Sequence, residues 1–300
     1  MSASASPVHE IAPRPDSPER LNPALAVEAL SVIYRNGIAG LRDASFTLPT
    51  GSITALVGIN GAGKSTLFKA LMGLVPIQSG QISILGESVR VALKANRVAY
   101  VPQAEEVDWN FPILVEEVVM MARYGQMNWL RQARQSDRAA VAQALAQVGM
   151  EAYAKRQIGM LSGGQRKRVF LARALAQESS VILLDEPFTG VDVETEDAII
   201  ALLKRLRNEG RIILVSTHNL GSVPRFCDRC VLLKETVLDY GLTADVFTPA
   251  NLQRAFGGAL RYFVLGSGEL HDDDDARQVT ILSDDERPFV LYGAQDDPDA

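Results

Sequence analysis

Residues 58–66 read GINGAGKST, directly after the apolar run SITALVG and ahead of a helix-forming segment. Gly58, Gly61 and Gly63 let the backbone turn so that successive N–H groups point inward. Such donors, backed by the positive end of a helix, bind phosphate oxygens. Lys64 can then reach the outer phosphates of a nucleoside triphosphate, and the Ser65 hydroxyl can ligate Mg2+. Asn60, Ala62 and Thr66 complete the nucleotide-binding loop. A Gly-rich turn by itself is common. Strand, loop and helix in this order make it a phosphate cradle.

A second stretch, VILLDE at 181–186, is an aliphatic run ending in two carboxylates. A buried strand that delivers carboxylates at its C-terminal end places them where ligands bind in α/β sheets. Asp185 is the candidate Mg2+ holder, and Glu186 the group that orients or deprotonates an attacking water.

The third stretch names a family. LSGGQ at 161–165, followed by RKRVFLARALA and then by the Asp-Glu strand, resembles the signature of ATP-binding-cassette (ABC) ATPases. Ser162 offers a hydroxyl, and Gly163 and Gly164 expose N–H groups at a helix start. With Leu161 and Gln165 they form what the resemblance implies is a γ-phosphate clamp. Further positions match the same pattern. Tyr34 is similar to the aromatic that stacks on adenine. Gln103 in YVPQ is similar to the Gln that senses Mg2+, and Asp192 in TGVD to the residue through which two subunits communicate. His218 in LVSTHN is similar to the histidine that contacts the γ-phosphate.

The resemblance spans about residues 26–245 and implies ATP with Mg2+ as ligands. It also implies a division of labour: each nucleotide lies between the phosphate loop of one chain and the LSGGQ of another. This chain has one of each, so a second copy of itself is expected. The other expected partners are an integral membrane permease and an extracytoplasmic metal-binding protein. Trp109, Phe111, Ile113 and Leu114 fall where the family receives a permease helix. DEPFTGVD at 185–192, with Phe188 and Gly190, is similar to the variant found in importers of manganese, iron and zinc. The expected function is thus the ATPase of a divalent-metal importer, manganese or iron first. A zinc or iron-chelate importer, an exporter motor, or a soluble ABC ATPase acting on ribosomes or DNA are the alternatives. A single cassette without a sustained heptad disfavours the last.

These motifs need elements to hold them. Runs at 26–34, 44–48 and 52–58 read as strands, and 81–85 and 97–101 as shorter ones. Helical spacing is predicted at 64–73, 115–124, 137–148 and 164–176. After that, strands at 181–185, 211–216 and 230–234 alternate with helices at 193–209 and near 220–226. That alternation predicts a parallel sheet wrapped by helices. The expected fold class is α/β: a P-loop NTPase with a RecA-like parallel core, an antiparallel β subdomain and an α-helical signature subdomain over about 105–165. Proline-rich residues 1–24 read as disordered, 25–246 as the ATPase domain, and 247–300 as an extension with an acidic tail.

Charge and composition set limits. Residues 266–300 carry eleven acidic and two basic side chains, a charge of −9, whereas the rest carries 25 and 28, a charge of +3. The near-neutral body, with its slight basic lean, argues neither for nor against nucleic acid; the resemblance to transport subunits is what leaves no nucleic-acid partner expected. The tail's HDDDD at 271–275 reads as solvated charge rather than a metal sensor. No run approaches the roughly 18 apolar residues a membrane-spanning helix needs. The expected location is therefore peripheral, on the cytoplasmic face of the inner membrane. Cys227 and Cys230 form a C-x-x-C pair without further cysteines, which reads as two structural thiols rather than a zinc site.

Overall fold

The computed structural model describes residues 24–103 and 111–257, with the backbone of three further strands at 261–265, 279–283 and 288–292. Trp109, the HDDDD segment and nearly all of the proline-rich lead-in lie outside the described residues.

The chain opens with β1 (Leu25–Ile33), β2 (Ala39–Leu48) and β3 (Ser52–Val57), then α1 (Lys64–Leu71), β4 (Ser79–Ile84), β5 (Glu87–Ser88), α2 (Val89–Lys94) and β6 (Val98–Val101). The helical part holds α3 (Val115–Met120), a 3-10 segment (Met121–Gln126), α4 (Gln135–Gln147) and α5 (Gly163–Ala176). Then come β7 (Val181–Asp185), α6 (Val193–Asn208), β8 (Ile212–Thr217), α7 (Val223–Phe226), β9 (Arg229–Lys234), β10 (Thr236–Leu242), α8 (Thr243–Val246) and α9 (Pro249–Phe256). Strands β11 (Arg261–Leu265), β12 (Val279–Ser283) and β13 (Pro288–Tyr292) form an antiparallel sheet.

Two sheets organise the body. A four-stranded antiparallel sheet runs β2-β1-β4-β5, and a six-stranded sheet runs β10-β9-β3-β8-β7-β6. In the larger sheet β9, β3, β8, β7 and β6 are parallel, with β10 antiparallel at the edge. The antiparallel-looking opening therefore divides: β3 and β6 leave it for the parallel sheet. Burial explains this. Every residue of β3, β7 and β8 is buried, as a strand covered on both faces must be.

The alternation of side chains sorts these strands between two cores. Ile182 and Leu184 of β7, with Ile213 and Val215 of β8, face a cluster that includes α5 and α6. Val181 and Leu183, with Ile212 and Leu214, face a cluster built with α1 and the antiparallel sheet. Leu252 and Ala255 of α9 also enter the first cluster, so its packing runs past residue 246.

The helix expected over 115–124 tightens to 3-10 from Met121. The change coincides with Arg123 turning inward, where its guanidinium meets Asp137 (3.2 Å), Glu178 (2.5 Å) and the Ala176 carbonyl (2.8 Å). This cluster, with Arg123 and Asp137 buried and Glu178 at the surface, ties α4 to the end of α5. Cys227 and Cys230 are both buried free thiols, and burial pushes both well above the ordinary thiol range. They are structural residues at the α7–β9 junction.

Candidate nucleotide-hydrolysis site

The phosphate loop links β3 to α1, with Gly63 at the helix N-cap at φ +103°. That backbone belongs to the left-handed region, where glycine alone is comfortable. A Cβ on Gly63 would also lie 2.5 Å from the Gly40 carbonyl oxygen, so the close approach of β2 excludes any side chain. Gly61, at φ +83°, differs: a Cβ there would meet nothing within 4 Å. Backbone conformation alone calls for glycine at that position, and the exposed tip formed by Asn60 and Gly61 stays open to a ligand. The turn beside it is closed by the Ala62 N–H, which donates to the Ile59 carbonyl at 3.0 Å. Lys64 is buried, and its Nζ donates to the carbonyls of Gly58 (2.6 Å) and Ile59 (3.2 Å). Burial lowers the Lys64 pKa, while the carboxylates of Glu186 and Asp185 oppose that shift. Ser65 is exposed at the first turn of α1, and the Tyr34 hydroxyl shares a hydrogen bond with Thr66 Oγ1 at 2.9 Å.

Asp185 ends β7, and strand register places Ser216 of β8 opposite it. Both carboxylate oxygens are held. Ser216 Oγ donates to Oδ1 at 2.5 Å, and the Tyr100 hydroxyl donates to Oδ2 at 3.3 Å. Glu186 follows at φ +51°, an uncommon backbone for a non-glycine residue. Its N–H is held by the Ser216 carbonyl (3.1 Å) and hydroxyl (3.0 Å). Its Oε2 gathers Gln103 Nε2 (2.5 Å), His218 Nδ1 (3.3 Å) and Thr189 Oγ1 (3.4 Å). Carboxylate, amide and imidazole thus converge from the ends of β6, β7 and β8. A strained carboxylate with several donors, beside a lysine, is the arrangement expected of a group that aligns water on a phosphoryl centre.

The LSGGQ segment takes a different position. Ser162 is the N-cap of α5: it accepts from the Gln165 N–H at 3.3 Å, and its own N–H donates to Gln165 Oε1 at 3.0 Å. Serine and glutamine three residues apart form a capping box, and the two glycines between them form the helix's first turn. Next to this start lies the TGVD loop. Asp192 caps α6 by accepting from Thr195 N (2.8 Å) and Thr195 Oγ1 (3.0 Å), and Lys167 Nζ donates to the Thr189 carbonyl. The Asp192 Oδ2 atom lies 3.8 Å from where a Gly164 Cβ would be. Among the described residues no hydrogen bond joins residues 161–165 to residues 58–66.

Residues 41–189 match the ABC transporter family. The chain is 56% identical over 284 residues to the protein of Yersinia pestis described as a membrane protein of a chelated iron transport system, covering 94% of this chain and 96% of that one. This chain is an ABC transporter ATP-binding subunit. The ATPase subunit is also 56% identical over 234 residues to a manganese transport system ATP-binding protein of Synechocystis, covering 78% of this chain and 90% of the relative. Among solved structures, a dimeric ATP-binding cassette in a post-hydrolysis state with ADP and phosphate aligns at TM-score 0.62 and 26% identity, over 73% of this chain and 98% of that one. This subunit hydrolyses ATP in a transport system.

Sequence reading missed several residues of the ATPase site. Tyr100 and Ser216, which clamp Asp185, sit inside the stretches YVPQ and LVSTHN, but only strand register shows what they face. Phe188, expected to mark a transport subclass, packs edge-on against Phe226 with centroids 5.4 Å apart. Of the expected permease-facing residues, Phe111 is 60% exposed, whereas Ile113 packs against the core. Among the described residues no cluster of three or more His, Cys, Asp or Glu could hold a metal, and no helix is long and apolar enough to cross a membrane.

Proposed function

We propose that the chain is the motor of a divalent-metal importer, with manganese or iron as cargo, working as a nucleotide-sandwich homodimer beneath a membrane permease. The observation that carries the dimer is the separation of the Ser162 cap from the phosphate loop. Gly163 lines one pocket with Gln103, yet among the described residues no hydrogen bond ties Ser162 and its glycines to the loop that carries Lys64, and Ser162 caps α5 beside Asp192. A second copy related by two-fold symmetry supplies the missing serine–glycine clamp to each triphosphate.

Within each site, the loop N–H groups and Lys64 hold the phosphates, and Tyr34 offers an aromatic face to adenine. Glu186 orients the attacking water and takes its proton, and His218 contacts the γ-phosphate. Asp185 and Ser65, with the Gln103 carbonyl, are hard oxygen donors of the kind Mg2+ takes. The paired hydroxyl donors on Asp185 fix the orientation of its carboxylate for that purpose. When bound, Mg2+ would neutralise phosphate charge. Loss of the γ-phosphate removes the contact with the partner's clamp and lets the dimer open.

The metal cargo is supported by the iron and manganese systems of the two relatives. In such systems the motor would lie against the cytoplasmic face of the inner membrane, with an extracytoplasmic binding protein delivering the ion.

Mixing two inactive variants tests the dimer. Lys64→Ala disables one half-site, and Ser162→Asp the other by setting a carboxylate against the triphosphate. A mixed dimer retains one intact loop facing one intact clamp. Combined variants should regain a substantial share of wild-type turnover while each alone stays inactive. Mixtures as inactive as their components would overturn the shared-site reading. Abolished manganese and iron uptake in cells lacking the chain would support the cargo assignment, and unchanged uptake of both would remove it.

A further inference from the structure

Away from the nucleotide site, one turn presents two large apolar side chains to solvent. Between the 3-10 segment and α4, the Arg131 N–H donates to the Asn128 carbonyl at 2.9 Å, and the Gln132 N–H donates to Asn128 Oδ1 at 3.2 Å. The turn they close has Trp129 and Leu130 at its two corners, 89% and 53% exposed. Turn corners ordinarily carry Gly, Pro, Asn, Asp or Ser. An indole held there gains almost no burial from this fold, and the isobutyl group beside it only about half.

The surface charge carried by the segment itself has one sign. Arg131 stands 5.6 Å over the half-exposed Tyr124 ring, and Arg134 and Arg138 follow, both at the surface. Asp137 is the one carboxylate between residues 121 and 138, and it is buried against Arg123. With that pair set aside, the surface charge of the segment is three arginines and no acid, on a chain of net charge −6.

We propose that this turn is a membrane-surface anchor for anionic lipid. Trp129 and Leu130 enter the headgroup boundary, and Arg131, Arg134 and Arg138 pair with lipid phosphates. Indole rings favour this boundary, where an apolar body meets a polar edge. Guanidinium forks match phosphate oxygens in pairs. A convex tip suits a fluid interface, whereas a protein contact concentrates its energy in side chains that fill a partner's pocket. The inference rests on the reading of the chain as a membrane-peripheral transport subunit.

Co-sedimentation of the purified full-length chain with lipid vesicles tests it, without nucleotide or permease. Vesicles of phosphatidylcholine alone are compared with vesicles containing about one third phosphatidylglycerol. The chain should bind the anionic vesicles and release as salt rises. Trp129→Ser with Leu130→Ser should weaken that binding roughly tenfold. Replacing the three arginines by glutamine should weaken it by a similar factor. ATPase activity in solution should stay at the wild-type level in both variants, which confirms that they fold. Wild-type binding by both variants would overturn the anchor, as would a wild-type chain that ignores anionic vesicles. Variants that bind vesicles normally but lose the permease in detergent would make the turn a protein contact instead. Because vesicle binding is read on the free chain, its failure leaves the shared-site dimer untouched.

Discussion

Gln103 and Glu186, 83 positions apart, meet in a hydrogen bond: the amide Nε2 donates to the carboxylate Oε2 at 2.5 Å. The contact joins the end of β6 to the end of β7. It gives Gln103, at the end of β6, direct purchase on the carboxylate proposed to align water. Gln103→Ala should lower turnover about tenfold or more while leaving ATP affinity within about twofold, because it disturbs orientation rather than phosphate binding. Steady-state turnover beside equilibrium nucleotide binding separates these effects, and a large loss of affinity would contradict the assignment.

Glu186→Gln keeps the shape of the side chain and its place beside His218 but removes the base. Turnover should fall by roughly a hundredfold to ten-thousandfold with ATP still bound. The variant should also accumulate as a dimer on size-exclusion chromatography with ATP and Mg2+. Unchanged turnover would defeat the role given to Glu186.

Tyr100 is a positioning residue. Its ring packs edge-on against Phe68 at 5.9 Å, and its hydroxyl holds Asp185 Oδ2. Tyr100→Phe keeps the packing and removes the donor, so the folded state should melt within a few degrees of wild type. The Mg2+ concentration needed for half-maximal ATPase should rise about fivefold, the equivalent of roughly 1 kcal/mol for one hydrogen bond. A Mg2+ titration identical to wild type would show that Ser216 alone holds the carboxylate.

Ser162 has a structural task besides any contact with nucleotide. Ser162→Ala removes the α5 cap and should cost about 1 kcal/mol of stability. Ser162→Asp keeps a good cap and should preserve stability, yet abolish ATPase activity. Thermal melting beside turnover of the two variants tells capping from phosphate contact. Equal melting losses in both would remove the capping argument.

The Arg123 cluster predicts an acid-sensitive step. The Arg134 N–H, followed by the Arg123 guanidinium, holds the Asp137 carboxyl below its ordinary value of 3.8, against the opposing effect of burial. A depressed carboxylate contributes stability above its unfolded value and loses it as pH falls through the folded one. Asp137→Asn should therefore melt on the order of 5 °C lower at neutral pH. The gap should stay constant down to about pH 5 and close below pH 4. A gap that widens on acidification would reverse the sign and refute the account.

The sequence by itself determined the chemistry that lies within contiguous backbone. GINGAGKST, the Asp-Glu end of β7 and LSGGQ act through neighbouring N–H groups and adjacent side chains, so their spacing already points to the phosphate and Mg2+ chemistry expected of them. The parallel core was legible for the same reason, because aliphatic runs such as IILVST fit only where both faces are covered. Tertiary structure alone decided what faces what. Ser216 clamps Asp185 because β7 and β8 pair in that register, and a shift of one residue would point it at the opposite core. Strand order set Tyr100 on the other oxygen, and packing drew α9 into the core and left Trp129 in solvent. A single chain carries no local record of such pairings, since they are settled by how distant segments exclude water together.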